Sequence, residues 1–226
     1  MTEFIDALRV APLWEQTLVA VLVAAVVAIT VAPSIRRRRA RLAFEQLAEQ
    51  CRVTVVPVDS VTAAFELNVA GRRFEVRRDW RSRAFSEGSN SYRGPIGHML
   101  VTSTPLAGSR WELHQVDVAT LATSVRRASD LLTGDEAFDA RFRVRQDGVP
   151  VRDGWLDAAT RAAVTRLFET PGVTGPVWVQ GRSLQVLRPE PWTGLESQSA
   201  LTRVLEAQAA LAAALERTGG WRGPAA

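Results

Sequence analysis

The densest set of groups able to do chemistry is the block TGDEAFDARFRVR, from Thr133 to Arg145. Asp130 stands just ahead of it, and Asp135, Glu136 and Asp139 lie within it. Carboxylates in such a cluster are the ligands a hard cation prefers, because such ions bind oxygen. Their spacing matches no EF-hand or other specific cation loop. A structural role is simpler. Phe138 and Phe142 are four apart, so one helical turn puts both rings on one face. Gly134 permits a turn, and Asp135 or Asp139 can accept from backbone donors there. Gly134, Asp135, Phe138, Asp139 and Phe142 therefore read as a turn-plus-strand plug of the core, and no metal is assigned to the block.

The remaining reactive side chains form no recognisable set. His98 and His114 are the only histidines and Cys51 the only cysteine. Three zinc ligands scattered this way, with no local pair, make a poor site. No G-x-S-x-G elbow occurs, and neither histidine has an assignable Ser or Cys partner. Ser82, Ser86, Ser89 and Ser91 sit in a Gly- and Ser-rich stretch and read as turn formers. All 28 basic residues are Arg, which excludes Schiff-base lysines and the phosphate-binding lysine of a P-loop. A lone cysteine excludes an intramolecular disulfide framework. No catalytic, cofactor or metal residue is assigned, and the expected activity is binding rather than turnover.

The Gly-Asp-x-x-Phe-Asp-x-x-Phe block, with Gly134, Asp135, Phe138, Asp139 and Phe142 in register, is followed by a strand, a helix opening near Leu156-Asp157 and a late hairpin. In this it resembles a set of bacterial membrane-anchored proteins of unknown function. The resemblance runs from about Thr133 to Arg217; it implies an architecture and no activity.

The elements that must hold these residues begin with an apolar run. Thr17 to Ile35 contains no charged residue. As a helix it extends roughly 28 Å, close to the hydrocarbon thickness of a bilayer. Trp14 stands where an interfacial aromatic belongs. Glu3, Asp6 and Glu15 outweigh Arg9 ahead of the run, unlike the positive start of a cleaved signal peptide. Arg36, Arg37, Arg38, Arg39 and Arg41 follow it at once. Positive flanks stay in the cytoplasm, so the expectation is a single span of the inner (plasma) membrane, N-terminus out and C-terminal domain cytoplasmic. A translocated domain behind a signal anchor is the competing topology. The arginines suit anionic headgroups, and Arg outnumbers Asp plus Glu from Arg36 to Arg93. No nucleic-acid motif appears, so nucleic acid is not an expected partner. Ala20, Ala24, Ala28 and Ala32 recur every fourth residue, a small-residue stripe that suits self-association.

The expected fold is α+β. Residues 1–16 form a short tail, 17–35 the membrane helix and 36–52 a basic continuation of it, with Cys51 on its half-buried face. Residues 53–217 form the folded domain, and 218–226 a disordered tail. Its first part, 53–116, reads as an antiparallel meander. There, 53–56 is a strand, 65–69 and 74–76 alternate around Gly71, and 96–104 pairs with 110–116. The second part, 117–217, is mixed. It has a helix over 119–132, a strand over 142–144, a helix capped by Asp157, a hairpin around Gly181 and a long helix over 195–217. The expected function is a membrane-anchored protein-binding or scaffolding module. The alternative is a membrane-tethered enzyme whose site assembles only in three dimensions.

Overall fold

The computed structural model describes residues 12–59, 62–81, 97–107, 114–122, 130–148, 154–180, 182–189 and 197–219. The Ser-rich stretch 82–96 and the tail beyond 219 lie outside the described residues, as does most of the N-terminal tail. Two compact units divide the chain, Met1–Ala43 and Phe44–Ala226.

Helix α1, Leu13–Gln50, runs through that division. In the first unit it exposes apolar side chains, among them Leu18, Val21, Leu22, Val23 and Val26, ahead of the exposed arginines 37–39 and 41. The side chains of 27–33 are outside the described set. Among the described residues, no helix is long and apolar enough to cross a membrane. In the second unit the helix turns amphipathic, with Phe44, Leu47, Ala48 and Cys51 buried. It ends in a Schellman motif: the Arg52 N–H donates to Glu49 O at 2.9 Å and the Val53 N–H to Ala48 O at 3.0 Å. Arg52 takes φ 56°, the left-handed value this cap requires.

The second unit is built on one antiparallel sheet of eight strands in the order β1-β2-β3-β4-β8-β7-β5-β6. The strands are β1 Val56–Pro57, β2 Ala63–Val69, β3 Arg72–Arg81, β4 Gly97–Pro105, β5 His114–Thr120, β6 Phe142–Gly148, β7 Val177–Gln180 and β8 Ser183–Pro189. Three helices complete it: α2 Glu136–Arg141, α3 Ala158–Glu169 and α4 Gln198–Gly219. The α+β class and the long last helix agree with the sequence reading. The β2–β3 turn is Ala70-Gly71, both at positive φ, so it is a two-residue hairpin turn whose twist matches the strands. Asp157 caps α3, accepting from the Thr160 N–H at 2.7 Å, and Ser197 does the same for α4.

Three local expectations are corrected. The strand expected over 53–56 is only Val56–Pro57, because the Schellman turn uses the Val53 N–H and leaves Val53 and Val55 to pack on the core. Strand β4 does not pair with β5. It lies between β3 and β8, while β5 lies between β6 and β7. No helix occupies the described part of 119–132: Ala119 and Thr120 end β5, and Leu131 bridges to Val144. In the last two cases pairing across the sheet overrode a local pattern.

Alternation along the strands gives the sheet two faces. The inner face carries Phe65, Phe74, Val76, Leu100, Val116, Val118, Val144, Val177, Val179, Leu184 and Val186, which join α3 and α4 in one core. Phe44 stacks on Phe65 with ring centroids 5.0 Å apart. Gln208 of α4 is fully buried there. Its Oε1 accepts from the Thr102 hydroxyl at 2.7 Å, and its Nε2 donates to Thr102 O at 3.0 Å and Leu184 O at 2.9 Å. One amide thus fastens α4 to both β4 and β8. Gln208→Met strands the Thr102 hydroxyl and is expected to cost about 1–3 kcal/mol. Thr102→Val with Gln208→Met should cost less than the two single changes added. Urea unfolding of the three variants measures this, and strict additivity would show that the amide and hydroxyl do not depend on each other.

Candidate functional site

The outer face of the sheet carries groups that alternation puts there. In β5 Val116 and Val118 point inward, so Asp117 points outward. In β6 Phe142 and Val144 point inward, so Arg143 and Arg145 point outward; in β7 Trp178 does so between Val177 and Val179. Register sets Asp117 opposite Arg145 on one side and opposite Trp178 on the other. The row continues through Gln185, Ser103 and Glu75, crossing six strands. Beside it lies a small apolar cluster of Met99, Val101 and Leu187, with Trp178 against it.

The charges in this row are joined and largely buried. Arg143 donates to Asp117 Oδ2 at 2.5 Å, and Arg145 Nε donates to Asp130 Oδ1 at 3.2 Å. Trp178 hydrogen-bonds the Asp117 carboxylate as well. Burial raises the Asp117 carboxyl above its ordinary range, against the opposing pull of Arg143 and Arg145. Asp117 Oδ1 and Arg143 Nε are buried with no hydrogen-bond partner. An acceptor and a donor thus keep unspent hydrogen-bonding capacity beside an indole and an apolar cluster. His98 pairs with Trp80 near one end of the strands and His114 with Gly148 near the other. Cys51 belongs to the inner core, where burial raises its thiol and suppresses the thiolate. Among the described residues no three His, Cys, Asp or Glu gather as a metal site.

The Thr133–Arg145 block lies at the sheet edge. Asp135 caps α2, accepting from the Phe138 N–H at 3.1 Å and from Arg161 Nε at 3.0 Å. That backbone hydrogen bond, then Arg161, holds its carboxyl below the ordinary range. Asp139 is buried and accepts from the Thr133 N–H at 3.0 Å, the Thr133 hydroxyl at 2.9 Å and the Gly134 N–H at 3.2 Å. Gly134 takes φ 78° in this turn. The Phe138 and Phe142 rings are buried 4.8 Å apart, and Phe168 of α3 sits 5.3 Å from Phe142. Glu136 opens α2 and turns to no other carboxylate in a described cluster. Asp130 pairs with Arg145, away from this turn's hydrogen bonds.

Of the other sequence candidates, Arg37, Arg38, Arg39 and Arg41 are exposed on α1, and the side chain of Arg36 is outside the described set. Ala20 and Ala24 are exposed on the same helix; the side chains of Ala28 and Ala32 are not described. Asp117, Arg143 and Trp178 were not candidates. Their signal was faint but present: single polar or aromatic residues set between β-branched core positions, on three strands whose neighbour relations local reading does not supply.

No family model matches the chain, and no curated protein does. Among solved structures it is similar to the crystal structure of the mycobacterial trehalose monomycolate transport factor A, at 12% identity and a TM-score of 0.43, over 80% of this chain and 92% of that one. A likeness of that degree carries no functional argument.

Two predictions follow from the geometry. If Asp139 and the two Phe rings are structural, Asp139→Ala should cost about 1.5–3 kcal/mol, the range for hydrogen bonds to a charged group. Phe142→Ala should cost about 3–5 kcal/mol. Thermal melts should be unmoved by calcium, magnesium or manganese; a cation-dependent rise lost in Asp139→Ala would make the block a metal site. The second concerns Asp117. Its folded carboxyl keeps its proton to higher pH than the unfolded one, so stability falls as pH rises from the ordinary carboxylate range to the raised folded value. Asp117→Asn removes that slope. The stability of the variant minus that of wild type should therefore climb across the window and level off above it. Denaturant titrations at stepped pH test this, and a flat difference would mean that Asp117 titrates normally.

Proposed function

We propose that the chain is a single-pass membrane protein that holds a binding or scaffolding module at the inner face of the plasma membrane. The observation that carries the reading is α1. An uncharged run from Thr17 to Ile35 and the basic cluster at Arg36–Arg39 and Arg41 lie on one helix, which continues into the folded unit. Val21, Leu22 and Val23 are consecutive and all exposed, so apolar surface faces more than one side of the helix. A helix apolar around its circumference belongs in lipid or inside protein. Five arginines after the run, against Arg9 before it, support a cytoplasmic C-terminus and contact with anionic headgroups.

The module reading rests on the outer face, where Asp117, Arg143 and Trp178 offer recognition groups. A protein partner that presents both a donor and an acceptor to this row is the favoured ligand.

Topology is tested by C-terminal fusions. A bright fluorescent protein and an inactive alkaline phosphatase are expected, with the chain retained in membranes through carbonate extraction. Active phosphatase with a dark fluorescent protein would reverse the orientation, and carbonate release would remove the span. Binding is tested by photo-crosslinking from position 185 in native membranes. A discrete adduct that Asp117→Asn or Arg143→Met abolishes is expected. Reproducible turnover of nucleotide, ester or phosphate substrates, lost on one buried substitution, would replace the module with an enzyme.

A further inference from the structure

The inner face contains a group that contradicts its surroundings. Arg188, on β8, is 1% exposed and lies on the same face as Leu184 and Val186, amid the apolar core. Its Nε and both terminal nitrogens are buried, and none has a hydrogen-bond partner among the described residues. A guanidinium carries five N–H donors and stays charged in proteins. Burial accounts for the fall of its proton affinity to about 10. Elsewhere the chain meets this need. Arg143 has Asp117, Arg145 has Asp130 and Arg161 has Asp135.

Two further features single out the place. Gly172, in the turn after α3, takes φ 89°, and a Cβ built there would fall 2.9 Å from one terminal nitrogen of Arg188 and 3.4 Å from its central carbon. Glycine at 172 therefore lets the guanidinium lie flat against the turn. Arg78, on β3, is also buried on this face, and register sets it across Leu100 from Arg188. Two cations thus flank one leucine on the apolar side of the sheet. A buried charge without a partner is strongly destabilising, whereas an apolar residue of similar size would be tolerated.

We propose that Arg188 is the receptor for an oxyanion, a carboxylate or phosphate carried by a ligand that enters between the sheet and its helices. The planar fork of Arg matches two oxygens of either group. Arg78 adds attraction across Leu100, and the apolar core around Arg188 suits a ligand whose anionic head bears a hydrocarbon portion. This site lies on the face opposite Asp117 and does not depend on the membrane reading.

The test uses the full chain in non-ionic detergent. Decanoate, decyl phosphate and inorganic phosphate are titrated separately while affinity and melting temperature are followed. Saturable binding with a raised melting temperature is expected for at least one alkyl anion. Inorganic phosphate binding equally well would identify a free anion as the source, and alkyl anions binding far better would identify an amphiphile. Arg188→Met should weaken the binding about 30-fold or more, as expected when one partner of a buried charge pair is removed. It should melt no lower than wild type without ligand. Arg188→Lys keeps the charge and loses the fork, so its affinity should fall between the two. The proposal is overturned if no anion binds wild type, if Arg188→Met binds as wild type does, or if Arg188→Met melts well below wild type in anion-free buffer. The last result would mean that the guanidinium is already satisfied within the chain.

Discussion

The fold depends on the pairing of β4 with β8. Strands β1 to β4 follow one another as a meander, and β5 to β8 form a second group; among the described residues the seven-residue ladder from Met99↔Pro189 to Pro105↔Ser183 joins them into one sheet. Such distant strands must close a long loop before any contact rewards it, so the register has to be specified strongly. Gln208 provides that specification. Its amide reaches Thr102 and Leu184 together only when both point inward. A slip of one residue would turn one of the two strands the other way and cost the amide one of its partners in an apolar core.

Because register is locked there, the chemistry of each face is decided as well. Among the described residues the inner face is mainly apolar, with Thr102, Thr104, Arg78 and Arg188 as buried polar residues on it. The outer face receives the alternate residues of the same strands, which makes Asp117, Trp178 and Arg145 neighbours across β7, β5 and β6. Their charges are largely removed from water, so each needs another; Arg143 and Asp117 show this most directly. The two faces thus hold opposite problems, a linked network outside and, inside, a guanidinium at Arg188 with no hydrogen-bond partner among the described residues.

Helix α1 connects a different pair of demands. Its described first part exposes apolar side chains, and its last turns bury Phe44, Leu47, Ala48 and Cys51 in the core. The change of character falls after the arginine cluster, where the two compact units divide. The Schellman turn at Arg52 then stops the helix and redirects the chain toward β1.

Much of the local structure was legible in the sequence because its causes are local. The hairpin at Gly71, the Asp157 cap, the alternation of Phe142 and Val144, and the apolar stripe of the last helix each depend on residues within a few positions of one another. Phe138 and Phe142 likewise meet because one helical turn separates them. What tertiary structure alone decided is which strand lies beside which. Local reading pairs β4 with β5, since they are consecutive; burial of both apolar surfaces under α3 and α4 instead inserts β8 and β7 between them. The candidate sites follow from that insertion. Asp117 and Trp178 come together only across β5 and β7, and Arg78 and Arg188 only across β4. Side-chain period reports the face a residue takes and says nothing of its neighbour on the next strand.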